Sequence, residues 1–200
     1  MSKTVLYMSM SVDGFIAGPN EGPGNGLGDG GHRLHEWFLP GPGVGHKGAA
    51  DHLTGVNREV MDEVMATGAV VVGRRTFELA GGWGGDHHDG VPIFVLTRHQ
   101  PGARLQWPAV TCVSDVTRAM ELARDAAGGK DVLVHGALTA RLALAAGVLD
   151  EVQIHLIPVL LGQGHRLFED TPPDHIELEL LRAQDGPGVL HLRYRVRPAG

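Results

Sequence analysis

Residues 70–78 place two arginines and a threonine directly after a run of strongly apolar residues. Three successive valines (70–72) end at Gly73, which predicts a short buried strand, and the residues from Phe77 onward fit a helix. A helix that begins after a buried strand directs free N–H groups and the positive end of its dipole outward. Arg74, Arg75 and Thr76 add further donors there, which favours binding of an anionic group such as a phosphate. The alternative is that both arginines are solvated surface residues after a turn.

Similar chemistry follows other predicted strands. Residues 9–17 follow the first strand, Thr97 and Arg98 follow the third, and residues 135–139 follow the fifth. Ligands of open α/β sheets bind at the C-terminal ends of strands. These ends offer a cation, a hydroxyl, or a glycine that lets backbone approach a ligand. Two separated basic ends suit a ligand with two phosphate centres, and a dinucleotide with an extra ribose phosphate meets that demand.

The elements that position these residues alternate between strand and helix from residue 57 to residue 160. This alternation predicts an α/β fold with a mainly parallel sheet and helices on both faces. Segments 176–181 and 189–196 alternate apolar and polar residues, so a C-terminal antiparallel hairpin is expected to close the sheet. A helix is predicted over residues 57–67, with Asn57 as its N-cap.

We expect residues 1–200 to form a single domain with a glycine- and histidine-rich insertion at 19–56. An insertion of this length is usually a functional cover or disordered, and the tip at 22–31 is predicted to be disordered. No repeats are apparent.

Composition restricts the class of protein. The net charge of -6 and the pI near 6.0 argue against a nucleic-acid partner, which usually meets a basic face. The single cysteine, Cys112, cannot form an internal disulfide, which favours a reducing, cytoplasmic setting. No apolar run is long enough for a signal peptide or a membrane span, so no membrane association is expected.

Histidines concentrate in the insertion and in a second glycine-rich loop, at positions 32, 35, 46, 52, 87 and 88. His32 and His35 are three residues apart, a spacing that can occur in metal sites. No helix is predicted to place these ligands on one face, and no cysteine or carboxylate set completes them. Surface or lid histidines are therefore predicted, and no metal.

Four motifs together resemble the dihydrofolate reductase-like superfamily. They are Ser-Val-Asp-Gly-Phe-Ile-Ala (11–17), Val-Gly-Arg-Arg-Thr-Phe-Glu (72–78), Val-Leu-Thr-Arg (95–98) and Leu-Asp-Glu-Val-Gln-Ile-His-Leu-Ile-Pro-Val-Leu-Leu-Gly-Gln-Gly (149–164). The last is most similar to the reductase domain of riboflavin biosynthesis, the C-terminal half of a deaminase-reductase. The resemblance covers the chain except residues 19–56 and 81–90. It implies a three-layer α/β/α fold, a preference for NADPH and a homodimer.

The resemblance also implies roles for individual residues. Backbone groups of Ser9, Ile16 and Ala17 would hold the nicotinamide carboxamide. The pyrophosphate and the ribose 2′-phosphate would be bound by Gly73, Arg74, Arg75 and Thr76. Thr97 and Arg98 would flank the adenosine and its 2′-phosphate. The pyrophosphate would be cradled from the other side by His135, Gly136, Ala137, Leu138 and Thr139. The family usually has two or three glycines in this last turn, and this chain has one.

Substrate recognition is where the chain departs from folate reductases, which carry an acidic residue early in the first helix. Asn57 occupies that neighbourhood and cannot supply the proton chemistry of a carboxylate. The resemblance therefore favours a small heterocyclic substrate such as 5-amino-6-(5-phosphoribosylamino)uracil over dihydrofolate. Asp13 is the acid best placed by sequence to approach the nicotinamide; the alternative is a turn residue before Gly14.

The predicted substrate wall and lid comprise Trp37, Phe38, Trp83 and Phe168, for which the alternative is plain core packing. His165, with Arg166, is a candidate contact for a substrate phosphate. Three functions stay open at this stage: an NADPH-dependent reductase, a non-catalytic NADP(H)-binding protein, and, most weakly, a histidine-dependent metal protein.

Overall fold

The structure is a computed structural model that describes residues 2–39, 41, 51–99, 107–169 and 175–197. Part of the predicted insertion, including His46, lies outside these residues. The strands are β1 (Thr4–Ser11), β2 (Phe15–Ala17), β3 (Ala69–Gly73), β4 (Ile93–Leu96), β5 (Val110–Val113), β6 (Val132–His135), β7 (Glu151–Ile157), β8 (His165–Arg166), β9 (Leu178–Gly186) and β10 (Val189–Val196). The α-helices are α1 (Gly55–Met65), α2 (Arg74–Leu79), α3 (Val116–Ala126) and α4 (Ala137–Ala145), and short 3₁₀ turns cover Gly31–His35 and Gly81–Gly85.

One eight-stranded sheet organises the fold, in the order β5-β4-β3-β6-β1-β7-β10-β9. Neighbouring strands from β5 to β7 pair in parallel, whereas β10 pairs antiparallel with both β7 and β9. The predicted α/β class, the mainly parallel sheet and the C-terminal hairpin are therefore confirmed. In a separate two-stranded sheet, β2 pairs with β8.

Helices cover both faces of the sheet, as a parallel sheet requires. One face packs against α3 and α4, and the other packs against α1 and α2. The first interface contains Leu6, Val71, Val134, Ala119, Met120, Ala123, Ala140 and Ala143. The second contains Val5, Val70, Val72 and Phe77, with Val60, Met61 and Ile157 in an adjoining cluster. No helix of the described residues is long and apolar enough to cross a membrane.

The start of α1 differs from the prediction. The helix begins at Gly55 with Thr54 as its N-cap, so the prediction that Asn57 caps it is wrong. Asn57 is 4% exposed inside the first turn and turns its amide toward the β9–β10 hairpin. A buried polar side chain needs partners, and here a distant strand supplies them.

The tip at residues 22–31 is folded, contrary to the predicted disorder. Amide groups of Asn20 and Asn25 donate to the Asp29 carboxylate at 2.7 and 2.9 Å. These bonds close a compact loop whose Leu27 faces the cleft described below.

A buried ion-pair network ties β7 to β10. Glu151 is 1% exposed, and its carboxylate accepts from Lys3 Nζ and Arg193 Nε, each at 2.6 Å. Burial opposes ionisation, but these two hydrogen bonds keep the pKa of Glu151 below its ordinary value. Arg193 also approaches Glu63 on α1, so one guanidinium joins two strands and a helix.

We predict that Arg193→Met lowers the free energy of unfolding by about 3 kcal/mol, because it leaves the buried Glu151 carboxylate with Lys3 alone. Urea denaturation measures this change. Arg195→Met is the matched control, since Arg195 lies two residues along the same strand in an exposed pair with Glu179. The control should cost less than about 1 kcal/mol. Equal losses for the two variants would contradict a special role for the buried network.

Candidate active site

The C-terminal ends of β1, β3, β4 and β6 open onto one cleft of about 1670 Å³. Every residue predicted to bind the cofactor lines this cleft. They are Ser9, Ile16, Ala17, Gly73, Arg74, Arg75, Thr76, Thr97, Arg98, His135, Gly136, Ala137, Leu138 and Thr139. The topology brings these segments together because parallel strands end at a common edge.

The cleft begins where β1 separates from β6. β1 pairs with β6 only at its start, but with β7 along most of its length. The Lys3 carbonyl accepts from Val132 N–H on the β6 side, and the Thr4 carbonyl accepts from Asp150 N–H on the β7 side. Peptide groups alternate along a strand, so odd-numbered residues of β1 face β6. The N–H and C=O of Ser9 therefore point past the end of β6 into the cleft.

Two helix starts meet at the next part of the cleft. Gly136, the N-cap of α4, has φ 92°, and an added Cβ would lie 2.8 Å from Thr76 Oγ1. Only glycine combines this conformation with this close approach. Thr139, in the first turn of α4, is fully buried, and its hydroxyl has no hydrogen-bond partner among the described residues. An unpartnered donor thus lies beside the free N–H groups of a helix start, which is suitable chemistry for an anion.

The cations around the cleft differ in how far they are already neutralised. Arg74 Nε lies 3.7 Å from Glu78, a loose pair within one helix. Arg75 donates to Glu21 at 2.9 Å, across the cleft wall. Arg98 is exposed and forms no ion pair within the described part of the chain. Arg98 and Arg74 are therefore the cations readiest to bind a phosphate.

The other end of the cleft is walled by aromatic residues of the insertion. Trp37 is 7% exposed and donates from Nε1 to Ser9 Oγ at 3.0 Å. Phe38 packs edge-on against Trp37, with ring centroids 4.9 Å apart. Both predicted lid residues line the cleft while they are packed into the core, so they form a fixed wall in this structure.

Trp83 lines the cleft from an unusual backbone. The Gly81–Gly85 turn has left-handed φ/ψ angles, including φ 50° at Trp83. Glycine carries such angles without steric cost, and the Trp83 conformation costs about 1–2 kcal/mol. The indole contacts Phe77 and His87, which hold it against the end of β6.

A chain of histidines runs behind Trp83. His87 and His88 approach through their Nδ1 atoms at 2.7 Å, and His87 Nε2 lies 3.3 Å from His135 Nε2. His88 Nε2 donates to the Thr67 carbonyl at 3.1 Å, because a carbonyl can only accept. The described residues contain no group of three or more His, Cys, Asp or Glu side chains arranged to hold a metal ion.

Asp13 and Phe168 are placed away from the predicted positions. The Asp13 carboxylate accepts from Ser11 Oγ and from the N–H groups of Leu161 and Gly162, and it does not line the cleft. The Ser11 hydroxyl above all, aided by both N–H groups, lowers the pKa of Asp13 to about 2, which suits a turn residue rather than a proton donor. Phe168 is 39% exposed and also lies outside the cleft lining.

His165, the predicted contact for a substrate phosphate, lines the cleft. Its Nδ1 lies 3.4 Å from Glu21, which also pairs with Arg75. The neighbouring Arg166 lies over the Phe15 ring at 4.3 Å and donates to the Asp13 carbonyl. The pairing of β8 with β2 therefore holds His165 and Arg166 in place.

Sequence reasoning missed a buried set at the aromatic wall: His155, His191 and Asn57. His155 lies directly opposite Ser9 in the β1–β7 register and lines the cleft. Polar residues recur at alternate positions of this interior strand, at Glu151, Gln153 and His155, and a buried polar face of this kind is a signal that could have identified His155. Nothing local in the sequence links it to residue 191 or residue 57.

Solved structures share this fold. A protein of Shewanella sp. PV-4 provisionally assigned to riboflavin biosynthesis has a TM-score of 0.72 at 18% identity, covering 98% of this chain and 99% of that one. A pyrimidine reductase-like protein of Corynebacterium diphtheriae has a TM-score of 0.63 at 13% identity, with coverages of 99% and 93%. The diaminohydroxyphosphoribosylaminopyrimidine deaminase/5-amino-6-(5-phosphoribosylamino)uracil reductase of Thermotoga maritima has a TM-score of 0.58 at 14% identity. The match covers 98% of this chain and 57% of the Thermotoga protein.

At these identities the structural matches establish the fold alone. Among proteins with curated descriptions, none matches this chain significantly. The RibD C-terminal domain, by contrast, matches residues 2–192. Because this match spans nearly the whole sequence and agrees with the observed fold, the chain belongs to the RibD C-terminal domain family.

Proposed function

We propose that this protein is an NADPH-dependent reductase of a small heterocyclic substrate, of the 5-amino-6-(5-phosphoribosylamino)uracil reductase type. One observation carries the proposal: peptide groups of Ser9, the start of α4 and two weakly paired arginines converge on one cleft. This set of donors matches the successive parts of a phosphorylated dinucleotide. Under this proposal, residues 1–200 form one reductase domain.

NADPH fits the donors present. The unpartnered hydroxyl of Thr139 and the cradle at Gly136, which a Cβ would fill, suit the pyrophosphate. Arg74 and Arg98 suit the ribose 2′-phosphate because each is exposed and weakly paired. The peptide groups of Ser9 suit the nicotinamide carboxamide. When bound, the cofactor supplies the hydride.

The chain's own contribution is to position the substrate and exclude water. Trp37 and Phe38 close the cleft beyond Ser9, so a flat heterocycle there would lie against an apolar wall. His165 also lines the cleft, where it suits a substrate phosphate. Glu21 already contacts His165 Nδ1 and Arg75, so its carboxylate would lie beside a phosphate bound there.

Dihydrofolate is disfavoured as a substrate by the environment of Asn57. The amide is buried and hydrogen-bonded with Pro187 and His191, so position 57 supplies no carboxyl group to support protonation of a pterin. A ring-opened sugar carbon depends on positioning and polar contacts more than on a strong acid, and Ser9 and His165 offer polar contacts in the cleft.

A non-catalytic nucleotide-binding protein is the second candidate. Two observations favour it: Ala137 leaves one glycine in the α4 turn, and Glu21 occupies Arg75. Cofactor binding without turnover on any pyrimidine would support this reading over the first.

A homodimer accompanies the proposal. The edge strand β9 exposes Leu178, Leu180 and Leu181, and Leu180 is 56% exposed. An apolar strand at a sheet edge is normally covered. A monomeric mass in solution would contradict this part of the proposal.

Arg98→Ala and Arg74→Ala should each weaken NADPH about tenfold to a hundredfold, because each removes a charge-assisted contact to the 2′-phosphate. NADH, which lacks that phosphate, should be affected far less. Titration followed by nicotinamide fluorescence measures both affinities. Arg118→Ala is the control, since Arg118 lies on α3 outside the cleft and pairs with Glu121. An equal loss for NADPH and NADH would contradict the 2′-phosphate assignment.

The protein is expected to oxidise NADPH in the presence of 5-amino-6-(5-phosphoribosylamino)uracil and not in the presence of dihydrofolate. The reason is that Asn57 replaces the acid that pterin reduction needs. Loss of NADPH absorbance measures turnover. Reduction of dihydrofolate at a comparable rate would contradict the substrate assignment.

A further inference from the structure

His155 presents a ring nitrogen to the cleft. The residue is 4% exposed and lies in β7 beside Ser9. Its Nδ1 lies 2.8 Å from Nδ1 of His191 on the neighbouring strand. Its Nε2 makes no hydrogen bond with any residue that the structure describes, and the side chain lines the cleft. One nitrogen is thus held from behind, and the other is available to a ligand.

The residues behind His155 fix where its proton lies. The amide nitrogen of Asn57 donates to the Pro187 carbonyl at 3.3 Å, and a carbonyl can only accept. The Asn57 oxygen therefore faces His191 Nε2 at 3.1 Å, and it must accept from that nitrogen. Gly186 passes so close to this oxygen that a Cβ there would collide with it, which holds the amide in place.

The positions of the protons on His191 and His155 follow from this arrangement. With its proton on Nε2, neutral His191 has only a lone pair on Nδ1, so His155 must donate from its own Nδ1. The Nε2 of His155 then carries a lone pair. The geometry points to His155 Nε2 as a hydrogen-bond acceptor for the substrate, with His191 and Asn57 as positioning residues that hold this tautomer.

The surroundings keep both rings neutral at neutral pH. Burial, aided by the nearby His191, His135, His35 and Arg182, holds the pKa of His155 well below its ordinary value. Burial and then Arg182 lower the pKa of His191 to about 4, against a smaller opposing effect of Glu63. Tyr7 stacks on His155 and Trp37 contacts both rings without bringing a carboxylate to either.

An acceptor at this position selects a substrate that carries an N–H or O–H donor at its buried edge. The inference rests on the proposed function and deepens it, because aminopyrimidines carry such donors on the ring and on the exocyclic nitrogens. A heterocycle with only acceptors along that edge would meet the His155 lone pair and be rejected.

Nitrogen-15 NMR of histidine-labelled protein tests the tautomers inferred for His155 and His191 without the need for turnover. Wild-type His155 should show an unprotonated Nε2 and a protonated Nδ1, and this pattern should persist well below pH 6.5. Addition of NADPH and 5-amino-6-(5-phosphoribosylamino)uracil should move the Nε2 resonance upfield. A protonated Nε2 in the free protein, or no shift when the pyrimidine is added, would overturn the inference.

Variants separate acceptor chemistry from structure. His155→Phe keeps a ring but removes the acceptor, so KM for the pyrimidine should rise about tenfold to a hundredfold while NADPH affinity stays unchanged. His155→Gln restores an acceptor oxygen and should recover part of the loss. His191→Phe should mix the two tautomers of His155 and shift the pH profile of turnover. His175→Phe is the control, since His175 is largely exposed and pairs with Glu177.

The outcomes distinguish the two proposals. Failure to bind NADPH would overturn the proposed function, whatever the tautomer of His155. Normal NADPH binding with an unchanged KM in His155→Phe would overturn the acceptor role alone.

Discussion

The structure depends on the incomplete pairing of β1. This central strand is bound to β7 along most of its length, but it leaves β6 after a few residues. The separation leaves peptide groups in the second half of β1 without a partner on β6, in the middle of the sheet. Unpaired backbone groups require partners, so a gap of this kind persists where a ligand or solvent can satisfy them. The arginines, the helix starts and the aromatic wall all border this gap.

Charge and neutrality divide the cleft into two ends. Near α2 and β4 the lining carries Arg74, Arg75 and Arg98. Near β7 it carries His155 beside Trp37, in surroundings that oppose protonation of the imidazole. The proposed anionic dinucleotide would be attracted at the first end, whereas the uncharged ring of the proposed heterocycle would avoid a desolvation penalty at the second. The polarity of the cleft thus matches a ligand pair in which the charge resides mostly on the cofactor.

The sequence predicted what is encoded locally. A strand of valines followed by Gly73 and two arginines is a continuous segment. The strand–helix pattern therefore predicts that the arginines lie at the C-terminal end of a strand. For Asp13 the sequence left two roles open, and the hydrogen bonds correspond to the turn residue. The sequence could not decide between them because two of its partners, Leu161 and Gly162, lie far along the chain. Asn57 was misassigned for the same reason. The position resembles an N-cap locally, but tertiary contacts move the helix start to Gly55.

The buried histidine pair shows why position can matter more than residue type at such a site. A carboxylate in place of the Asn57 amide would add a charge behind His191 and favour an imidazolium there. The positions of the protons on both His191 and His155 would then change. The neutral amide instead accepts one hydrogen bond and donates another in fixed directions, because Pro187 sets its orientation. Asparagine at this position therefore has a hydrogen-bonding role of its own, in addition to leaving the site without an acid there. The hydrogen bonds of Asn57 fix the direction of the bond between His191 and His155. That direction decides whether His155 Nε2 accepts or donates in the cleft.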